Sequence, residues 1–138
     1  MADPYRPLKT AFGRYATGIT VVSCAPPDKD AVAITVNSFA SAALEPPLVL
    51  WCIEKRASTF GAFMAADHYA VSVLRAGDQA ISDRFAAHEP GPPSEAESEV
   101  FVTGAPLLKR RLAGFDCRVV DRHEAGDHVI LIGEVLKF

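Results

Sequence analysis

Between Lys55 and Thr59 the chain sets two cations and two hydroxyls in a row broken only by Ala57, reading Lys-Arg-Ala-Ser-Thr. An apolar run, Leu48 to Ile53, precedes them, and helical spacing of Phe60, Phe63 and Met64 follows. A strand exit feeding a helix start exposes free N–H groups and a partial positive charge, which suits phosphate. The same residues could equally be an ordinary N-cap with solvated charges, because Ser and Thr are common caps.

A second polar group stands at Thr35, Asn37, Ser38 and Ser41 in TVNSFAS. Hydroxyls and an amide there could face a flat polar ring, or could satisfy their own loop as Asx and Ser/Thr turns. A third candidate is His128, which follows Gly126-Asp127 and starts an apolar strand. His123 lies five residues earlier, but no carboxylate or cysteine stands at ligand spacing, so no metal site is expected. No GxSxG, GxGxxG or P-loop is present, which removes the serine hydrolase, dinucleotide-fold and nucleotide hydrolase readings.

The elements that must position these groups read as short strands and helices. Leu8, Phe12 and Tyr15 recur at spacings of four and three after Pro7, and Gly18 can end that helix. Ile19–Cys24 and AVAITVN form a predicted hairpin, and LVLWCI is a strand apolar on both faces, hence central. A helix capped by Ser58 or Thr59 follows, then the strand Tyr69–Leu74 and a helix capped by Asp78 with Ile81 and Phe85 four apart. His88 to Glu99 is rich in Pro and Glu, lacks periodicity and is expected to be exposed and mobile. The long hairpin GFDCRVVDRHEAGDHVILIGEVLKF turns at Gly126-Asp127.

The chain has 138 residues, a net charge of −3 and 49% apolar residues. That fits one domain, residues 1–138, with a real core and no basic face for nucleic acid. Cys24, Cys52 and Cys117 are too scattered for a zinc or disulfide framework and are expected to be buried apolar residues. No apolar run is long enough for a membrane helix, and the start MADPYRPLK has no signal-peptide core, so a soluble cytoplasmic protein is expected.

Taken in order, FGRYATGITVVS, TVNSFASAALEPPLVLWCI, EKRASTF, YAVSVL, DQAISDRFA and GDHVILIGEV resemble blocks of the short-chain flavin reductases. These are reductase components of two-component flavin monooxygenases. The resemblance covers most of the chain from Phe12 to Val135. It implies a mainly β chain with short helices, folded as a six-stranded antiparallel split β-barrel of the FMN-binding type. It implies an NAD(P)H:flavin oxidoreductase that uses FMN or FAD with NADH or NADPH and acts as a homodimer. Reduced flavin would pass to a flavin-dependent monooxygenase.

By the same resemblance, Thr35, Val36, Asn37, Ser38 and Ser41 line the flavin ring and ribityl chain. Cys52, Ile53, Lys55, Ser58 and Thr59 serve the ribityl chain and phosphate. Gln79, Ser82, Arg84 and Phe85 form a second flavin-proximal block. His128 is the catalytic candidate near the nicotinamide, with its side chain directed away from the phosphate. The chain differs in having Ala33-Ile34 before Thr35, where many members have a Gly-containing pair, and in ending at Phe138 without the family's C-terminal segment. A phosphate-ester oxidase of the same fold, a flavin-bound electron carrier and a non-catalytic flavin-binding dimeric barrel are the competing readings.

Overall fold

The computed structural model describes residues 2–138. Its main body is a seven-stranded antiparallel sheet of β1 (Thr20–Cys24), β2 (Val32–Val36), β3 (Ala40–Leu44), β4 (Pro47–Glu54), β5 (His68–Val73), β8 (Ala113–Ala125) and β9 (His128–Lys137). The order across the sheet is β2-β1-β5-β8-β9-β4-β3. A separate small ladder pairs β6 (Ser98–Glu99) with β7 (Leu107–Leu108). The helices are α1 (Arg6–Phe12), α2 (Phe60–Ala65) and α3 (Gln79–Ala86).

The expected mainly β, antiparallel fold with short helices is present, with one more strand in the main sheet than the six expected. The extra strand is β3, whose burial is nearly uniform and exposed. It carries no apolar alternation, so period-two patterning could not reveal it. It turns directly into β4 through Glu45-Pro46-Pro47. Ser38 then extends that ladder with its side chain: the hydroxyl accepts from the Cys52 N–H at 2.9 Å and donates to the Cys52 carbonyl at 3.2 Å. This rung fastens the corner between β2 and β3 to β4 and draws the two ends of the sheet together.

β4 is not the doubly buried strand that its apolar run suggests. Val49, Trp51 and Ile53 enter the core, while Leu48, Leu50 and Cys52 stay half-buried on the other face. The strand buried throughout is β1, which lies between β2 and β5. Val22 and Cys24 join the main core, and Val21 faces a second core with Ala33, Leu74, Phe85 and Leu108 beneath α3. In the main core Trp51 meets Phe63 and Tyr69 edge-on, at centroid distances of 4.9 and 5.8 Å. Such pairs add about 0.5–1.5 kcal/mol beyond their area burial.

Gly133 on β9 is required by this core. A Cβ there would stand 2.7 Å from Tyr69 Cζ and 3.1 Å from Cys117 Cβ. The Tyr69 hydroxyl is held by donation to the Leu131 carbonyl at 3.2 Å, so the ring has no easy retreat.

One helix expectation changes. α1 ends at Phe12, with Gly13 at its C-cap, rather than continuing to Gly18. Leu8, Phe12 and Tyr15 are 52, 68 and 78% exposed, so this apolar stripe stays largely uncovered among the described residues. The segment His88–Glu99 is irregular and mostly exposed, as expected, and its last residues are tied to the rest of the chain. Glu97 pairs with Arg84 at 2.7 Å, Ser98 and Glu99 pair with Leu108 and Leu107, and Lys109 N–H donates to the Glu97 carbonyl at 2.8 Å.

Candidate functional site

The exit of β4 and the turn of the β8–β9 hairpin form one mouth. Ile53 pairs with Val129 and Glu54 with His128. Beyond the strand, the Lys55 N–H donates to the Asp127 carbonyl at 2.9 Å. The chain then curls tightly, with Ala57 N–H donating to Glu54 O at 3.0 Å and Phe60 N–H to Ala57 O at 3.1 Å. This curl delivers Thr59 to the N-cap of α2.

Thr59 makes no side-chain capping bond. Its residue is 6% exposed, and its Oγ1 is buried without a partner. An unsatisfied buried hydroxyl costs about 1–3 kcal/mol, and Thr59 shares this condition with Ser23 Oγ and Trp51 Nε1 among the described residues. Ser58 beside it is exposed, and its Oγ accepts from the Glu89 N–H at 3.4 Å. Lys55 Nζ pairs with Glu124 Oε1 at 2.8 Å on the facing hairpin, and this pairing holds the Glu124 carboxyl below its ordinary range. The donor set of Lys55, Ser58 and Thr59 therefore fits an anionic phosphate.

On the hairpin side, His128 Nδ1 lies 2.7 Å from Asp127 Oδ1. A carboxylate accepts, so Nδ1 carries the hydrogen and Nε2 is left available. The His128 hydrogen bond is the main cause lowering the Asp127 pKa. The His128 side chain is 43% exposed. Its strand position places it beside Glu54 and next to Lys55, so the expected catalytic residue and the residues expected to hold phosphate are neighbours rather than well separated.

The corner after β2 supplies the next groups. Thr35 Oγ1 donates to the Ser82 carbonyl at 2.7 Å, joining β2 to α3. Val36 packs on the main core, and its carbonyl accepts from the Thr20 hydroxyl at 3.3 Å. Asn37 is exposed, and Ser41 is exposed on β3 opposite Val49. Ser38 and Cys52 bond each other as described, and burial raises the Cys52 thiol pKa, which keeps it a neutral thiol. Ile53 is a core residue, 1% exposed.

On α3, Gln79 and Ser82 border a cleft of about 430 Å³ with Ile19, Leu74 and Asp78. The Asp78 carboxylate accepts from Arg110 Nε at 2.6 Å and from the Arg75 N–H at 3.0 Å. The Arg110 bond is the largest cause holding its pKa down. Arg84 is spent on Glu97 and lies 4.6 Å over the Phe85 ring. Phe85 presents no surface at all: it is fully buried in the second core and fastens α3 to the sheet.

The sequence-predicted residues thus divide. Thr35 and Ser82 meet, Ser38 and Cys52 meet, and Lys55 and His128 come together at the exit of β4, with Ser58 and Thr59 in the curl that follows. Ile53 and Phe85 are packing residues, and Arg84 belongs to an ion pair. Glu124, Asp127 and Asp78 were missed. The Lys55 partner of Glu124 and the Arg110 partner of Asp78 lie far away in sequence, whereas Asp127 bonds its neighbour His128 and reads in the sequence only as a turn residue. Among the described residues no cluster of three or more His, Cys, Asp or Glu could hold a metal. No helix among them is long and apolar enough to cross a membrane.

Known proteins were compared with this chain and this fold. A family model for the flavin reductase like domain matches residues 12–138. An FMN reductase (NADH), SmoA, from Agrobacterium fabrum is 41% identical over 132 residues, covering 96% of this chain and 75% of that protein. A flavin-dependent monooxygenase reductase subunit, HsaB, from Mycobacterium tuberculosis is 35% identical over 133 residues, covering 96% of this chain and 70% of that one. The solved structure of Streptomyces globisporus NADH:FAD oxidoreductase SgcE6, in complex with NAD and FAD fragments, superposes with a TM-score of 0.87. Its identity is 35%, with 99% of this chain and 84% of that chain covered. With the family match spanning nearly its whole length and relatives at this identity, the chain belongs to the flavin reductase like domain family.

Proposed function

We propose that this chain is an NAD(P)H-dependent flavin reductase that supplies reduced FMN or FAD to a partner monooxygenase. The observation that carries the reading is the family match over residues 12–138, joined to a relative named FMN reductase (NADH) at 41% identity. The names of further relatives, an NADH-dependent flavin reductase from Rhodococcus and an NADH-dependent FAD reductase from Streptomyces globisporus, support NADH as the donor. The relative HsaB, named a monooxygenase reductase subunit, supports an oxygenase partner.

The cofactors carry the chemistry here: the nicotinamide is the hydride donor and the flavin ring the acceptor. The protein's part is placement. Lys55, Ser58 and Thr59 hold the flavin phosphate, with Thr59 Oγ1 gaining in the complex the partner it lacks alone. Asn37 and Ser41, exposed beside the Ser38–Cys52 rung, line the ring and ribityl chain together with Thr35, Val36 and the backbone around Cys52 and Ile53. From α3, Ser82 joins Thr35 through its carbonyl, and Gln79 stands in the adjoining cleft. His128, fixed by Asp127, orients the nicotinamide with its free Nε2. Ordered stacking of this kind converts a bimolecular encounter into a directed one.

Residues 1–138 act in this reading as one flavin reductase-like domain working as a homodimer. The uncovered apolar side chains of Leu8, Phe12 and Tyr15, together with Leu44 at 94% exposure on the edge strand, support the dimer. Three free cysteines support a cytoplasmic setting. The test is steady-state NADH oxidation with and without added FMN or FAD. The reading requires turnover that depends on flavin and saturates in both substrates; flavin-independent or absent oxidation overturns it.

A further inference from the structure

The proposed phosphate cradle faces an acid that a tight phosphate site would avoid. Lys55 is one of its cations, and Glu124 on the facing strand pairs with that cation at 2.8 Å. The Glu124 side chain is 81% exposed and has no other bonded partner among the described residues, whereas the Lys55 side chain is 38% exposed. Nothing in the core depends on the pair, and an exposed pair of this kind contributes little to stability. The backbone is held independently, by the Lys55 N–H bond to Asp127 and the register of Glu124 with Val129. The Glu124 carboxylate therefore serves the charge of the mouth more than the fold.

We propose that Glu124 is a specificity-determining residue that weakens the grip of Lys55 on phosphate-bearing flavins, so that flavin is released as a product instead of being retained. This rests on the assignment of Lys55 to the flavin phosphate. A phosphate within reach of Lys55 Nζ lies only a few ångströms from the Glu124 carboxylate, and the two repel. For a dianion at about 6 Å in water-like surroundings, that repulsion amounts to roughly a tenfold change in affinity at low salt, falling to about threefold at physiological ionic strength. The effect belongs to the phosphate alone. Riboflavin has the same ring and ribityl chain without the charge, so it does not feel Glu124.

The experiment is a titration of the purified, flavin-free full chain with FMN and separately with riboflavin, followed by flavin fluorescence at low and at physiological salt. The wild type, Glu124→Gln and Lys55→Met are compared. The expected result is that Glu124→Gln binds FMN about three- to tenfold more tightly, with the larger gain at low salt, and binds riboflavin as the wild type does. Lys55→Met should lose the preference for FMN over riboflavin. If Lys55→Met loses that preference while Glu124→Gln leaves FMN affinity unchanged or weaker, Glu124 does not oppose the phosphate and the proposal falls alone. If Glu124→Gln shifts FMN and riboflavin equally, it acts on the fold and the proposal falls. If Lys55→Met keeps the wild-type preference, the phosphate assignment of Lys55 falls and takes the proposal with it.

Discussion

Replacing Thr59 with Val separates a structural hydroxyl from one kept for a ligand. Thr59 is 6% exposed, and its Oγ1 has no partner among the described residues. The flavin-free protein therefore already bears the desolvation of that hydroxyl, about 1–3 kcal/mol, without a compensating bond. Valine keeps the branched shape and removes the oxygen. Thr59→Val should leave the flavin-free fold at least as stable, with a gain of about 1 kcal/mol raising Tm by roughly 3–5 °C. FMN binding should move the other way. The lost bond ends on a charged phosphate oxygen, worth about 1.5–3 kcal/mol, so Kd should rise roughly 10- to 150-fold. Riboflavin affinity should change little. Thermal unfolding without flavin and two fluorescence titrations measure all three quantities. A variant that melts several degrees lower and binds FMN as the wild type does would refute the reasoning, because the hydroxyl would then be structural.

Gly133→Ala should destabilise by about 1–3 kcal/mol in chemical denaturation, because its Cβ falls on the Tyr69 ring, which is held by Leu131 and packed on Trp51. The Asp78 carboxyl is depressed by Arg110 and Arg75, so its contribution is present above the ordinary carboxylate pKa and lost as pH falls through the depressed one. Acid titration of stability should accordingly fall more steeply below about pH 4 for wild type than for Asp78→Asn, and parallel curves would remove Asp78 from the acid response. His128→Ala should lower kcat/KM for NADH about ten- to hundredfold with FMN affinity nearly unchanged. Wild-type kinetics with a lower Tm would mark His128 as a residue of the hairpin only.

What the sequence made legible was local. The hairpin of β1 and β2, the turn at Gly126-Asp127 and the helix around Phe63 follow from spacing and turn chemistry, and the structure has each; Thr59 stands at the N-cap position as expected, but its side chain makes no capping bond. The cradle could be read because its members lie within five residues of one another. Glu124 and Asp78 could not, because each acts on a partner brought near only by the sheet or by α3 packing. β3 lacked any apolar pattern, and β4 looked central because half-buried Leu48, Leu50 and Cys52 have the same chemistry as buried residues. The apolar stripe read as one helix reaches only from Leu8 to Phe12 on α1, with Tyr15 beyond its end, and it stays largely uncovered among the described residues. Ser38 shows the limit most clearly. Its hydroxyl suits a ligand on paper, and in the fold it completes the ladder to Cys52.

The central claim is that this chain moves hydride from a nicotinamide to a flavin. Anaerobic mixing of the purified chain with FMN and excess NADH in a stopped-flow spectrometer tests it most directly. The account predicts bleaching of the oxidised flavin absorbance far faster than in protein-free buffer, slowed by Thr59→Val through binding and by His128→Ala at saturating flavin. Flavin that binds at the cradle yet stays oxidised in the presence of NADH and NADPH would contradict it.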